Sequence, residues 1–562
     1  MENYQEISDL VWKSVDRVLR DHTHKRDYGE YILPFVVMRR FDCVLEEQKE
    51  LIIETWNDLI KEGIKDPSNP VLNKIHPKKF FNRSKYDLTS LSKDSQNIRE
   101  NFNLYIDGYS ENVKEILVNF KIDEKLNFLN KQEILLEFVQ EFCEIDLSLE
   151  KIDNQNMGLI YEEINNKFCE EKNKDSGEYF TPRDVVELLV NLILLPEKEE
   201  LNKPNLVRSL YDPCCGTGGM LTQGRKWIHE NLPNDIVFKY CGQELTPETH
   251  SICLSDFLIL DENPDLIVQG STLSSDGFKD QKFYYMISNP PFGTHWGTEK
   301  KKLEFKQELD DPEGPYSNGT PSVMDSQSLF MMKLISKMEP RGSRVGVITS
   351  GSPLFNDEPS NSSKNLSDFR KWLVDRDLIE TIIKLPKGLF FDTDIHTYIW
   401  ILSNKKSSER QNKVQLINGV DYSQRLGRSL NKKTYKINDE SRENILDLYM
   451  NMTEKGDSKI IDSKDFLYKR ITFNYKIKDK KKNEFDRIDL NVNSEDFFNE
   501  KIKSFLPTSE LEPKKERIGC EITFNKYFYE YEKPKETNVW LSEIRDIEKE
   551  ISKVTSEVLD DQ

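Results

Sequence analysis

The sequence predicts a mostly parallel α/β sheet with helices on both faces, preceded by an all-α domain and followed by a tail that ends in a helix. Three observations carry this. From about residue 166, short β-rich runs alternate with amphipathic helical runs, the pattern of strands joined by helical crossovers. Before that point the apolar residues keep helical spacing and strand-like runs are scarce. The chain closes on an apolar stripe at steps of three and four residues.

In the N-terminal region Ile7, Leu10, Val11, Val15, Val18 and Leu19 fall on one helical face, and Leu33, Val36, Val37, Phe41, Val44 and Leu45 on another. Residues 131–142 are expected as a further amphipathic helix. Strands are expected at 206–211, 236–241, 283–287, 344–349, 379–385 and 397–402, with helices at 220–230 and 329–338 between them. Such sheets place ligands at the carboxyl ends of their strands. Residues 293–325 are rich in Gly, Pro, Ser and charge without a period, a long loop expected to be functional or disordered. Residues 356–366 form a similar polar break. After about 420 the chain is charge-rich, and the lysine run 476–482 is expected to be solvated or mobile. The closing stripe, Leu541, Ile544, Ile547, Ile551, Val554 and Val558, needs a surface, either its own chain or a partner's helix. The expected domains are 1–165, 166–420 and 421–562.

Over 562 residues the chain is 36% hydrophobic and 32% charged, enough for a large core with wide solvated faces. Its net charge of −19 argues against a free-standing nucleic-acid binder, so phosphate contacts must come from local patches or a basic partner. No run approaches the roughly 18 apolar residues of a membrane span, and the first residues lack the basic start and apolar core of a signal peptide. The eight cysteines are scattered without a Cys-x-x-Cys pair, so neither a zinc cage nor a disulfide framework is expected. The seven histidines, including His295 and His396, show no metal spacing. Reducing cytoplasm is the expected compartment.

Two stretches carry the chemistry. In residues 212–219 (Asp-Pro-Cys-Cys-Gly-Thr-Gly-Gly) an apolar strand runs through an acid into a glycine turn and an apolar helix. Gly216, Gly218 and Gly219 let the backbone turn tightly and approach a ligand. The turn lacks the Gly-Lys-Ser/Thr of a phosphate loop and the spacing of a dinucleotide fingerprint. An acid before it would repel a pyrophosphate but suits an ammonium group, such as the amino group of S-adenosylmethionine. Glu244, where the second strand should end, suits the two hydroxyls of a ribose. Cys214 and Cys215 lie inside the turn and read as packing residues, although Pro213-Cys214 looks like the pair of cytosine-C5 enzymes.

The second stretch is Asn289, Pro290, Pro291 and Phe292, after an apolar run. Prolines cannot extend a central strand. Asn289 can accept from an amino group, the proline bend can aim a backbone carbonyl at the same point, and Phe292 offers a face for stacking. Together they would hold the exocyclic amine of a planar base and localise its lone pair for attack on an electrophilic methyl. Positioning then carries most of the rate, and a duplex base would have to leave the stack to arrive.

In these residues and their order the chain resembles the modification (M) subunits of type I restriction-modification systems, a family of adenine-N6 DNA methyltransferases. Residues 177–183 (Gly-Glu-Tyr-Phe-Thr-Pro-Arg), 351–355, 385–390, 157–163, 522–529 and the closing helix are similar as well. The resemblance implies a Rossmann-like class I S-adenosylmethionine-dependent methyltransferase domain with a mostly parallel seven-stranded sheet. It implies that the cofactor is held by Glu178, Tyr179, Phe180, Thr181, Pro182 and Arg183, by Gly216, Thr217, Gly218 and Gly219, and by Glu244, with Asp212 nearby. Catalysis would lie with Asn289, Pro290, Pro291 and Phe292, without a metal. The implied partners are double-stranded DNA with a flipped adenine and a specificity (S) subunit bound by two M chains. The same resemblance allows an ATP-dependent restriction (R) subunit as a further member. Ser271 stands where many relatives have an acid or amide near the adenine ring, and Tyr284 where an acid is frequent. The tetrapeptide also suits an RNA base or a glutamine side chain, and a non-catalytic scaffold for a specificity subunit is a third reading.

Overall fold

A computed structural model describes residues 4–75, 79–153, 156–157, 160–161, 163–164, 181–233, 236–357, 364–391, 393–430, 432–477, 480–529 and 537–560. These form two compact units that divide after Ile522. No helix among the described residues is long and apolar enough to cross a membrane.

The N-terminal region is helical, from Tyr4–Leu19 and Tyr28–Leu45 to Leu135–Cys143. Its stripes meet as expected, except that Leu10, at the edge of the first, is exposed. Phe35 packs against Phe102, Phe138 and Phe142 at ring separations of 5.8, 4.8 and 5.4 Å. The helix expected over 131–142 is two elements, because Ile122–Lys131 ends where Glu133 turns left-handed at φ 60°. The Gln132 and Ile134 N–H groups fold back onto the carbonyls of Phe128 and Leu129, and Leu135–Cys143 starts afresh.

The sheet holds nine strands: β1 Val207–Asp212, β2 Val237–Glu244, β3 Ile267–Gln269, β4 Tyr285–Ser288, β5 Arg344–Thr349, β6 Ile379–Lys384, β7 Tyr398–Ser403, β8 Lys413–Asn418 and β11 Ser458–Asp462. A small hairpin, β9 Gln424–Leu430 and β10 Lys433–Lys436, lies between the last two. The order is β11-β8-β6-β7-β5-β4-β1-β2-β3, with β7 antiparallel between β5 and β6. The seven strands expected are β3 to β6 in this order; β8 and β11 extend the sheet at one edge, so it runs past residue 420. From β1 the chain moves outward to β2 and β3, then returns to β4 and β5 on the other side. Right-handed crossovers therefore put helices on both faces and open a crevice at the β1/β4 reversal. Register sets the chemistry: Asp212 lies beside Gly242, and Glu244 beside Gln269, at one edge of the sheet.

The helix after β2, Pro247–Ile259, is buried on all sides, including His250, Ser251, Ser255 and Asp256. It lies between the sheet and the N-terminal helix Glu111–Asn119.

Two segments are more ordered than their composition suggests, although Lys476 and Lys482 are exposed, as a solvated run requires. Residues 293–325 are folded: the helix Leu303–Asp310 is held by edge-on contacts of Trp296 with Phe305 and of Phe305 with Tyr316. The lysine run 476–482 falls on paired strands, β12 Leu467–Ile477 and β13 Lys480–Asp489. These form a second sheet with β14 Glu510–Leu511 and β15 Arg517–Cys520, over a core of Ile471, Phe473, Ile488 and Phe498. Alternation of apolar and polar residues wins over lysine content there. The second unit ends in the helix Thr537–Asp560.

Phe35→Ala should lower stability by about 3–5 kcal/mol, because three rings lose their common neighbour. Urea unfolding followed by circular dichroism measures it.

Candidate active site

At the β1/β4 reversal a cavity of about 490 Å³ opens between the strand ends, the start of the helix Arg183–Leu194 and the loop after β4. This is the size of a small-molecule site.

The glycine turn forms its floor. Gly216 and Gly218 have φ of 55° and 87°, values that side chains rarely adopt. A Cβ on Gly218 would lie 2.7 Å from Cys253 Sγ, whereas one on Gly216 would meet nothing within 4 Å. Gly216 therefore leaves room, while Gly218 lets the turn sit on the next helix. The turn is clamped to β2: the Gly216 N–H donates to Glu244 Oε2 at 2.9 Å, and the Thr246 N–H to Oε1 at 2.8 Å. A carboxylate has about four acceptor positions, so Glu244 keeps capacity for two hydroxyls.

Asp212 is buried and lines the cavity. It accepts from the Cys214 N–H at 3.1 Å. Burial, with Glu244 nearby, pushes its carboxyl up to about 7. A cation in the cavity would relieve that penalty. The Cys214 thiol lies 2.9 Å from Ser288 Oγ, and burial beside Asp212 pushes it well above its ordinary value. It stays a thiol, which fits packing and not nucleophilic attack.

Asn289 follows directly on β4. Its Nδ2 donates to Thr181 Oγ1 at 2.9 Å, while its buried Oδ1 has no hydrogen-bond partner among the described residues. A buried acceptor left unmade costs about 1–3 kcal/mol, a cost that an incoming N–H donor removes. Phe292 borders the cavity and meets Phe390 edge-on at 6.5 Å. Pro291 borders it too, and its carbonyl accepts from Ser326 Oγ at 3.4 Å.

Of the residues singled out from sequence, Thr181, Asp212, Gly216, Thr217, Gly219, Glu244, Asn289, Pro291 and Phe292 line this one cavity. Pro182, Arg183, Gly218 and Pro290 stand behind the lining as neighbours in sequence. Glu178, Tyr179 and Phe180 lie outside the described residues. Sequence reasoning missed Val186, Thr249 and Phe330, which close the walls from three helices; single helical positions carry no mark of the cavity they face. It also missed Glu299, which accepts from Ser271. His396 Nδ1 is 2.9 Å from the Leu385 carbonyl, and His295 is exposed. Among the described residues no group of three or more His, Cys, Asp or Glu is placed to hold a metal ion.

Residues 7–142 match the HsdM N-terminal domain, and residues 152–494 match the family described as N-6 DNA Methylase. The chain is 22% identical to the type I restriction enzyme MjaIX methylase subunit of Methanocaldococcus jannaschii over 474 residues, 81% of this chain and 78% of that one. It is 27% identical to the MjaVII methylase subunit of the same organism over 404 residues, 70% of this chain and 64% of the relative, just under two thirds of its length. Its fold is similar to that of a type I restriction-modification methyltransferase subunit from Streptococcus thermophilus, with a TM-score of 0.64 and 19% identity over 82% of this chain and 96% of that one. The match over 152–494 spans more than half of the chain and includes every residue of the cavity wall named above, and by it the chain belongs to the N-6 DNA methylase family.

Proposed function

We propose that the protein methylates the N6 amino group of adenine in DNA, as the modification subunit of a type I restriction-modification complex in the cytoplasm. The observation that carries this is that Asn289, whose buried Oδ1 has no hydrogen-bond partner among the described residues, lines one cavity with Asp212 and Glu244.

The residues fit S-adenosylmethionine. Asp212 gives the buried acid an ammonium group needs, Glu244 the acceptors a ribose needs, and Gly216 the open space. Thr181 is the described end of the segment 178–183 assigned to the same cofactor. When bound, S-adenosylmethionine supplies an electrophilic methyl group. The protein's residues do the rest. Asn289 Oδ1 accepts an N–H of the target amine, which draws the nitrogen lone pair out of conjugation with the ring. Thr181 holds the amide in that orientation through Nδ2. Phe292, braced by Phe390, gives the flipped base a stacking face. No strong base is needed, and placement of the amine supplies the rate.

In this reading residues 1–165 are the helical module, 166–420 carry cofactor and target, and 421–562 serve assembly while lending β11 to the sheet. The closing helix leaves Val539, Trp540, Leu541, Ile544, Ile547 and Ile551 exposed by 44–61%. A stripe of this kind suits a helix of a specificity subunit, with two M chains on one S chain and an ATP-driven R subunit as further members. A basic partner that chooses the site would also answer the net charge of −19.

Asn289→Ala should bind S-adenosylmethionine within about threefold of wild type yet lose at least about a hundredfold in methylation. Calorimetry and radiolabel transfer to DNA, RNA and protein acceptors check both, and undiminished transfer sinks the assignment. Cofactor affinity should fall on acidification. Asp212 titrates near 7 when no cation faces it, so protonation competes with the ammonium group; from pH 7.5 to 6 the loss is about eightfold. Asp212→Asn should flatten that profile. Removal of residues 540–562 should abolish co-purification with the specificity subunit while leaving cofactor affinity unchanged.

A further inference from the structure

The strand ends lie side by side in the order β4, β1, β2, β3. The amine-binding Asn289 follows β4, the glycine turn follows β1 and the ribose-binding Glu244 ends β2. The next position outward, after β3, is left for the base of the cofactor. That position is the turn Gly270–Ser271–Thr272, which lines the cavity and is fixed to β2 by the Gly270 N–H on the Glu244 carbonyl at 2.8 Å.

Adenine presents an amino group there, and a donor needs an acceptor. A serine hydroxyl can donate or accept, so alone it discriminates poorly. Here its proton is committed. Ser271 Oγ donates to Glu299 Oε2 at 2.8 Å, and Ser274 Oγ donates to the same oxygen. Lys302 Nζ holds the other oxygen at 2.9 Å. Burial would raise the Glu299 carboxyl, but the Ser274, Lys302 and Ser271 contacts bring it below its ordinary range. An ionised carboxylate only accepts, so the bond to Glu299 uses the hydroxyl proton of Ser271 and leaves the Oγ lone pairs of this cavity-lining residue as acceptors.

We infer that Glu299, carried on the loop that follows the Asn-Pro-Pro-Phe segment, turns Ser271 into an obligate acceptor and thereby makes the cavity select a 6-amino over a 6-oxo purine in the cofactor. This rests on the reading of the cavity as an S-adenosylmethionine site. Ser271 is the base-contacting residue, and Glu299 a positioning residue that acts through it. The acid missing at 271 is thus supplied from 28 positions along the chain.

The test is calorimetric binding of S-adenosylhomocysteine and its deaminated analogue S-inosylhomocysteine to the full-length chain. Wild type should prefer the adenine compound by about tenfold or more, the loss expected when a donor is replaced by an acceptor facing an acceptor. In Glu299→Gln the amide can donate to Ser271 and release its proton toward the cavity, so the preference should shrink to within about threefold. Ser271→Ala should lose the preference as well. The ratio of two affinities in one sample is insensitive to partial misfolding. A wild-type ratio retained in both variants overturns this inference and leaves the proposed function standing. Failure of wild type to bind either compound overturns the proposed function, and this inference with it.

Discussion

The hydrogen bond from the Gly216 N–H to the Glu244 carboxylate, 2.9 Å long, is the contact on which the site depends. It joins the turn after β1 to the end of β2, so two strand ends that would otherwise be loose loops become one surface. The Cys215 N–H on the Gln243 carbonyl at 3.0 Å reinforces it from below. The close fit leaves no room on β2, where a Cβ on Gly242 would lie 2.8 Å from Cys215 Sγ. Rigid backbone on both sides keeps the buried acid Asp212 in place, its carboxylate accepting from the Cys214 N–H. A site held this way has its polar groups oriented before any ligand arrives, so little ordering remains to be done on binding.

A second constraint sits on the far side of the sheet and explains why residues past 420 are integral to it. Arg344 on β5 pairs with Glu380 on β6 at 3.0 and 3.1 Å, both buried. Burial alone would raise the Glu380 carboxyl, but the Arg344 guanidinium overrules it and brings it down to about 2. Tyr449, from the helix Asp439–Met450, donates to the same carboxylate at 2.5 Å. That helix and β10 also grip the helix Arg183–Leu194: Arg442 pairs with Glu187 and Lys433 with Asp184, each at 3.0 Å. Thr181 and Val186 at the cavity belong to the start of that helix region. The charge-rich segment thus reaches the helix beside the cavity through one half-exposed pair and through Lys433, which is buried, so that loss of Asp184 would strand its charge.

Sequence reading found most strands of the central sheet, although β8, with its four middle residues buried, was missed. β5 was placed to the residue because every position in it is buried, and β1, β2, β4, β6 and β7 within a few residues. β3 was missed because three residues carry no period. β12 and β13 were missed because the lysine run at their junction, read for its charge, hid the alternation of β12. The helix Pro247–Ile259 could not have been read as buried all round, since that follows from the N-terminal domain lying against it. The site itself was more legible than the fold around it. Asp212, the glycine turn, Glu244 and Asn289 lie at strand ends, where acids, glycines and an amide stand out against the apolar strands before them. Val186, Phe330 and Glu299 were invisible, because only tertiary contact brings them to the cavity.

The loop after β4 shows how a segment without periodicity can still be ordered. Trp296 donates its indole N–H to the Ser322 carbonyl at 2.8 Å and stands edge-on to Phe305, which meets Tyr316 in turn. Glu308 pairs with buried Lys333 at 2.7 Å, and Lys333 also meets Asp276 at 3.1 Å. Glu299 ties the near end of the loop to the turn after β3. Each tether reaches a different element, so the loop is fixed by crossing contacts and not by a repeating pattern. Glu299, bonded to the turn after β3, is thus joined to Phe292 at the cavity by only six intervening residues. Cofactor side and target side share one piece of chain, and a shift at either must be accommodated by the other.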